Sequence, residues 1–228
     1  GGWNSPASTL LGAGRIWPRS PVAAARTPEL FTGITLFLAL GVSWLTGLAG
    51  LSMALGAFLA GLAIGGFWGM GPNFGQRIGL DVGGISAFMA AVLGGTLALQ
   101  WPLGWLSDRV SRNLVIAGAA LASAAAAVGV AMAAEAPLPL LLAAGALFGG
   151  FGIPIYSLCL AVANDDLPAS RLLGTARGLL LLNGIGTAAG PLIGGAAMAI
   201  VGPGGLFLYA AALLIILARS EERRVGKE

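Results

Sequence analysis

The side chains best able to contact a ligand are polar residues set inside long apolar runs. They carry amide or phenol groups, and they are Asn73, Gln76, Gln100, Tyr156, Asn164 and Asn183. A polar group inside a lipid-embedded helix is costly to desolvate, so it usually faces a cavity or bonds to a neighbouring helix. We therefore treat these residues as candidate solute contacts. A hydrogen bond between helices is the alternative for each of them.

Acid–base, metal and nucleotide chemistry are not predicted. The sequence has no His and one Cys, Cys159, whose apolar surroundings favour a small buried side chain over a reactive thiol. Asp165 and Asp166 lie near Arg171 and Arg177, which favours a loop ion pair over a proton relay. The phosphate-binding pattern G-x-x-x-x-G-K-[ST] is absent. We therefore expect no enzyme activity, no cofactor, no metal and no ATP-driven pumping.

The composition predicts that helices in a lipid bilayer position these side chains. The chain is 57% hydrophobic and 9% charged, whereas soluble domains carry about 25% charged residues. Its apolar runs lack the polar alternation of membrane β-strands, so the fold class is an all-α, multi-pass helical bundle. Turn-forming residues divide the runs into predicted spans at 30–46, 52–70, 84–106, 114–134, 138–163, 172–201 and 206–218.

The basic residues predict an orientation rather than a nucleic-acid partner. They are scattered singly between apolar runs, although the net charge is +3. For the last six spans, one side receives Arg109, Arg112, Arg171, Arg177 and Arg219, and the other receives only Arg77. Positive loops mark the cytoplasmic side, so we assign the first group there. A full crossing at 30–46 would put the basic residues before it outside, so that segment conflicts with the rest.

One loop carries an unusual concentration of charge. It reads Gly104-Trp105-Leu106-Ser107-Asp108-Arg109-Val110-Ser111-Arg112. Its carboxylate precedes the span at 114–134, where the amino-terminal helix dipole favours negative charge. The two arginines could reach lipid headgroups or the carboxyl ends of neighbouring helices and act as a cytoplasmic latch. The alternative is an ordinary charged loop.

A second motif has glycines at helical spacing. Gly186, Gly190 and Gly194 recur every four residues and predict a smooth face that another helix can approach closely. Pro191 frees a backbone carbonyl and permits a kink. General membrane-helix packing is the alternative to a specific role.

From Ile64 onward, these motifs resemble the carboxyl-terminal half of a major facilitator superfamily carrier. The loop from Gly104 to Arg112 matches the signature G-x-L-x-D-R with a further Arg, and 184–195 is similar to the glycine- and proline-bearing helix of proton-coupled antiporters. The resemblance implies a six-span half of a secondary carrier for a small solute, in the lipid bilayer of the bacterial inner membrane. It also implies a missing amino-terminal half as partner, without which transport is not expected.

An earlier segment resembles a different family. Residues 26–62 are similar to bacterial monovalent cation:proton antiporters of the potassium-efflux type, and a fragment of such an antiporter is the alternative function. Both resemblances suggest a chimeric chain, truncated at its start and joined near 58–65. Its predicted parts are an irregular start at 1–25, the antiporter-like segment at 26–62, the carrier half at 63–218 and a basic tail at 219–228. That tail is either native or translated non-coding sequence.

Overall fold

The computed structural model describes residues 52–165 and 169–225, all within one compact unit. The described part is helical and contains no strand, which confirms the predicted all-α fold. Its helices are α1 (Ser52–Arg77), α2 (Val82–Ser107), α3 (Arg112–Met132), α4 (Leu138–Gly152), α5 (Ile155–Asp165), α6 (Ala169–Val201) and α7 (Gly205–Val225). The antiporter-like segment before residue 52 lies outside the described residues.

Within the described residues, five stretches are long and apolar enough to cross a bilayer: Ala54–Arg77, Val82–Ser107, Arg112–Met132, Leu138–Val162 and Gly174–Val201. The fourth stretch combines α4 with most of α5. Helix α7 is not among them, since charges begin at Arg219. At 1.5 Å per residue its uncharged part is about 21 Å long, and a hydrocarbon core is about 30 Å thick.

Two predicted boundaries differ from the structure because prolines act differently at different sites. Helix α1 continues through Pro72 to Arg77, beyond the predicted end at residue 70. The predicted span 138–163 is interrupted between Gly152 and Ile155. Pro154 lies in this break and has no N–H to donate to the preceding turn. Inside a bundle, neighbouring groups decide whether a helix continues past such a residue.

An aromatic cluster packs α1 against α2, α4 and α7. Phe67 and Phe74 of α1 meet Phe88, Phe148 and Phe207, and all five side chains are fully buried. The Phe74 and Phe207 ring centroids lie 4.8 Å apart, nearly edge to face. Such ring pairs are worth about 0.5–1.5 kcal/mol beyond their buried area. They fix α1 at the centre of the bundle.

The helix ends alternate between the two sides of the bundle. The Arg77 guanidinium donates to the Met198 carbonyl at 3.3 Å, so α1 and α6 end on the same side. Gly204, between α6 and α7, lies against Ala131 near the end of α3. The loop between α2 and α3 lies at the opposite end of these helices. The charge pattern predicts that this end is cytoplasmic.

This alternation gives a labelling test of orientation. In a Cys159→Ala background, Ser111→Cys should react with an impermeant thiol reagent only from the cytoplasmic side. Val82→Cys, whose site is 81% exposed at the other end of α2, should react only from outside intact cells and is the matched control. Reaction of Ser111→Cys from outside would reverse the assignment.

Candidate functional site

Helices α1 and α6 meet at backbone distance along glycines on both helices. On α1, the contacts come from Gly61, Gly65 and Gly69, one helical turn apart. A Cβ atom added at Gly65 would overlap the backbone of Thr187, and one added at Gly69 would overlap the ring of Pro191. No residue larger than glycine fits there without moving α6. We call this contact the α1–α6 seam.

The predicted glycine motif forms the other half of the seam. A Cβ atom at Gly186 would overlap the Phe58 carbonyl, and one at Gly190 would overlap the Leu62 carbonyl. At Gly194 it would come within 2.8 Å of the Leu206 side chain, which belongs to α7. The motif therefore faces α1 over two turns and then reaches α7.

Hydrogen bonds to backbone carbonyls join α1 to α6 and α7. Asn183 Nδ2 donates to the Ala57 carbonyl at 3.0 Å. The Tyr209 hydroxyl of α7 donates to the Leu62 carbonyl at 3.5 Å. Thr187 Oγ1 donates within α6 to the Asn183 carbonyl at 2.9 Å. The Asn183 amide thus provides the helix–helix bond considered from the sequence, and its side chain is still partly exposed.

A cavity of about 170 Å³ opens beside the seam. It lies between α1, the break that separates α4 from α5, and α6. Its walls are Ala60, Gly61, Ile64, Ile153, Tyr156, Asn183 and Thr187. A phenol, an amide and a hydroxyl therefore face a common space otherwise lined by small or aliphatic groups. This combination suits hydrogen bonding to a small solute.

The structure brings together only part of the predicted candidate set. Tyr156 and Asn183 line the cavity. Gln76 and Gln100 are exposed, and Asn73 is half-buried, with Oδ1 lacking a hydrogen-bond partner among the described residues. The side chain of Asn164 lies outside the described set.

Thr187 also lines the cavity and is not among the candidates predicted from the sequence. A helical threonine hydroxyl can bond to the carbonyl one turn earlier, as Thr187 does here, so a threonine in an apolar run is not by itself a sign of a ligand site. Its position four residues after Asn183 was the available signal. That spacing puts both residues on one face of the helix.

Two buried hydroxyls hold the end of α4 above the cavity. Thr96 Oγ1 of α2 donates to the Gly149 carbonyl at 3.1 Å, and Ser123 Oγ of α3 donates to the Phe148 carbonyl at 3.0 Å. Pro154 cannot continue the hydrogen-bond ladder of α4. The hydrogen bonds from α2 and α3 hold the last turn of α4 in place next to the break. Helix α5 begins after the break as a separate helix.

The charged loop is organised around α2. Asp108 is the C-cap of α2, and Oδ1 accepts from Arg112 Nη2 at 3.3 Å. Helix α3 begins at Arg112, so the carboxylate acts on that helix through this ion pair. Arg109 stacks on the Trp105 ring with 3.9 Å between the guanidinium carbon and the ring centroid. Gly104 and Leu106 occupy the last turn of α2.

Comparison with known proteins gives one long match and one short one. A family model for the Major Facilitator Superfamily matches residues 53–219. An uncharacterized MFS-type transporter of Enterobacter sp. (strain 638) is 26% identical over 174 residues, 75% of this chain and 44% of its own. The MFS-type transporter YcaD of Salmonella typhi is 25% identical over 174 residues, with the same coverage of 75% and 44%.

The short match concerns another family. K(+) efflux antiporter 1, chloroplastic, of Arabidopsis thaliana is 47% identical over 60 residues, which is 25% of this chain and 5% of that protein. No solved structure matches this chain. The two matches agree with the two resemblances drawn from the sequence motifs. The chain spans about half the length, 44%, of the two MFS-type relatives.

Proposed function

The chain belongs to the major facilitator superfamily, and we propose that it forms the carboxyl-terminal half of a secondary carrier for a small solute. The observation that carries this proposal is the cavity of Tyr156, Asn183 and Thr187. Its residues lie near the middle of α1 and of α6, and so at the middle depth of the bundle. Carriers built from two repeats bind solute near the bilayer midplane, between the repeats.

The side chains that line the cavity limit the kinds of interaction that this half can make with a solute. It offers an amide, a phenol and a hydroxyl, and no ionised side chain is among its lining residues. We infer that this half positions the solute through hydrogen bonds. Recognition of a charged solute, or coupling to a proton, would then require groups from the amino-terminal half, since a coupling site needs a group that changes charge.

The bacterial inner membrane is the location we infer, supported by the bacterial origin of the MFS-type relatives and by the positive charge of the loops at one end. The antiporter resemblance gives weaker support to a second function, the exchange of monovalent cations for protons. It covers 25% of the chain, and no acidic residue occurs between Glu29 and Arg77. Exchange of cations for protons inside a membrane requires such residues.

Reconstitution with an amino-terminal half tests the proposal. We expect uptake of at least one solute, screened from sugars, amino acids and organic cations, when this chain is combined with the amino-terminal half of the Enterobacter relative. Asn183→Ala should then lower uptake about fivefold, because a hydrogen bond of about 1 kcal/mol to the solute is lost.

Gln100→Ala is the matched control, because Gln100 is exposed and does not line the cavity. It should leave uptake unchanged. The amount of folded protein in each sample is measured by size-exclusion chromatography, since Asn183 also bonds to α1. Equal losses from Asn183→Ala and Gln100→Ala at equal folded amounts would contradict a solute site at the cavity.

A further inference from the structure

A second cavity, of about 210 Å³, has no polar side chain among its lining residues. It runs between the last turns of α2 and the first turns of α3, and Phe151 of α4 lines it as well. Its walls include Leu103, Leu106, Leu114 and Gly118. Apart from the adjoining backbone of its own helix, nothing lies within 4 Å of the place where a Gly118 Cβ would stand, so the space beside this glycine is open. We call this cavity the α2–α3 groove.

The groove opens on the surface of the bundle. Leu106, Val110 and Leu114 along its walls are 40%, 42% and 50% exposed. Two tryptophans, Trp101 and Trp105, lie one turn apart near the end of α2, and their side chains are 76% and 47% exposed. Exposed tryptophans are enriched where the hydrocarbon core meets the headgroups. The groove therefore begins at the depth of the lipid headgroups and extends toward the acyl chains.

Basic groups stand at the mouth of the groove. The Arg109 guanidinium carbon lies over the Trp105 ring, 3.9 Å from its centroid, and a guanidinium held against an aromatic ring can still donate its N–H groups to an anion. Arg112 is beside it, and its pair with Asp108 is a partly exposed contact at 3.3 Å. Two arginines and one aspartate give this mouth a net positive charge.

We propose that the α2–α3 groove binds one anionic phospholipid, with an acyl chain in the groove and the phosphate on Arg109 and Arg112. A water-soluble anion would gain nothing from the apolar walls, and an uncharged alkyl chain would gain nothing from the arginines. Charge complementarity therefore selects an anionic lipid. The loops at this end are assigned to the cytoplasmic side, where anionic lipids attract basic residues. A bound lipid would tie α2 to α3 across the signature loop.

The test is competitive lipid retention by the full chain in detergent, measured by native mass spectrometry. Phosphatidylglycerol and phosphatidylcholine with identical acyl chains are added in equal amounts. We expect preferential retention of phosphatidylglycerol. Arg109→Gln should lower the ratio of retained phosphatidylglycerol to phosphatidylcholine about fivefold, the effect of one basic residue at an anionic surface. Gly118→Leu, which fills the groove, should lower retention of both lipids.

Matched controls use the same substitutions elsewhere in the chain. Arg177→Gln removes an exposed arginine of α6, and Gly94→Leu fills an open position on α2 that lies outside the groove. Neither should change retention. Equal retention of the two lipids by the unaltered chain, or an equal effect of Arg177→Gln and Arg109→Gln, would overturn the proposal. Displacement of the lipid by excess glycerol phosphate would also overturn it, because binding would then not involve the groove.

Discussion

Replacing Gly190 by leucine is expected to destabilise the bundle more than any other single change considered. Its Cβ would overlap the Leu62 carbonyl on the opposite helix, so the longer side chain must force α1 and α6 apart. Between these helices, stability depends on close van der Waals contact rather than on water exclusion. We expect a loss of about 3 kcal/mol or more, measured as thermal unfolding in detergent.

The same substitution six residues earlier on α6 is the matched control. Gly184 has nothing within 4 Å of its Cβ position, so Gly184→Leu should change stability by less than about 0.5 kcal/mol. Leu192→Ala should also have little effect, because that side chain is 77% exposed. Comparable losses from Gly184→Leu and Gly190→Leu would mean that the seam is not the contact that holds α6 in place.

The glycine motif shows what could be predicted about the seam from sequence. The spacing of Gly186, Gly190 and Gly194 indicates a face that permits close approach, since helical periodicity is a local property. It does not indicate which helix approaches. The partner glycines, Gly61 and Gly65, lie more than a hundred residues away, and only tertiary packing pairs the two sets.

The prolines show why the helix boundaries were less predictable. Pro72, Pro102 and Pro191 lie inside helices, while Pro154 lies in the break after α4. All of them lack an N–H, so the local chemistry is the same. The difference comes from the surroundings of each proline, which its own sequence neighbours do not specify.

The sequence predicts which residue types are candidates for solute contact. It does not predict which of these residues lie together in one cavity. The cost of desolvation correctly marks polar side chains in apolar helices as unusual. It does not say which face of the bundle each one occupies. Tyr156 and Asn183 share a cavity because α5 and α6 both border α1 there, whereas Gln100 is exposed on α2.

The chain alone should catalyse no measurable uptake in liposomes. In the proposed half-carrier, its cavity is one wall of a site that would alternate access only when a second half rocks against it. Uptake of every screened solute should therefore match that of empty liposomes. Uptake by the lone chain that is abolished by Asp108→Asn, and unaffected by deletion of residues 1–50, would instead require a self-sufficient transporter.

The accessibility of position 187 to a thiol reagent tests most directly whether this chain is one half of a carrier. The test needs no knowledge of the solute. Thr187→Cys is made in a Cys159→Ala background and treated with a small charged thiol reagent in membrane vesicles. The half-carrier account predicts slow reaction for the lone chain, whose cavity wall faces lipid. Reaction should become much faster on co-expression with the amino-terminal half of the Enterobacter relative, because pairing encloses water. Leu192→Cys, on another face of α6, should react slowly in both samples. Equally fast reaction of Thr187→Cys without the partner half would contradict the account.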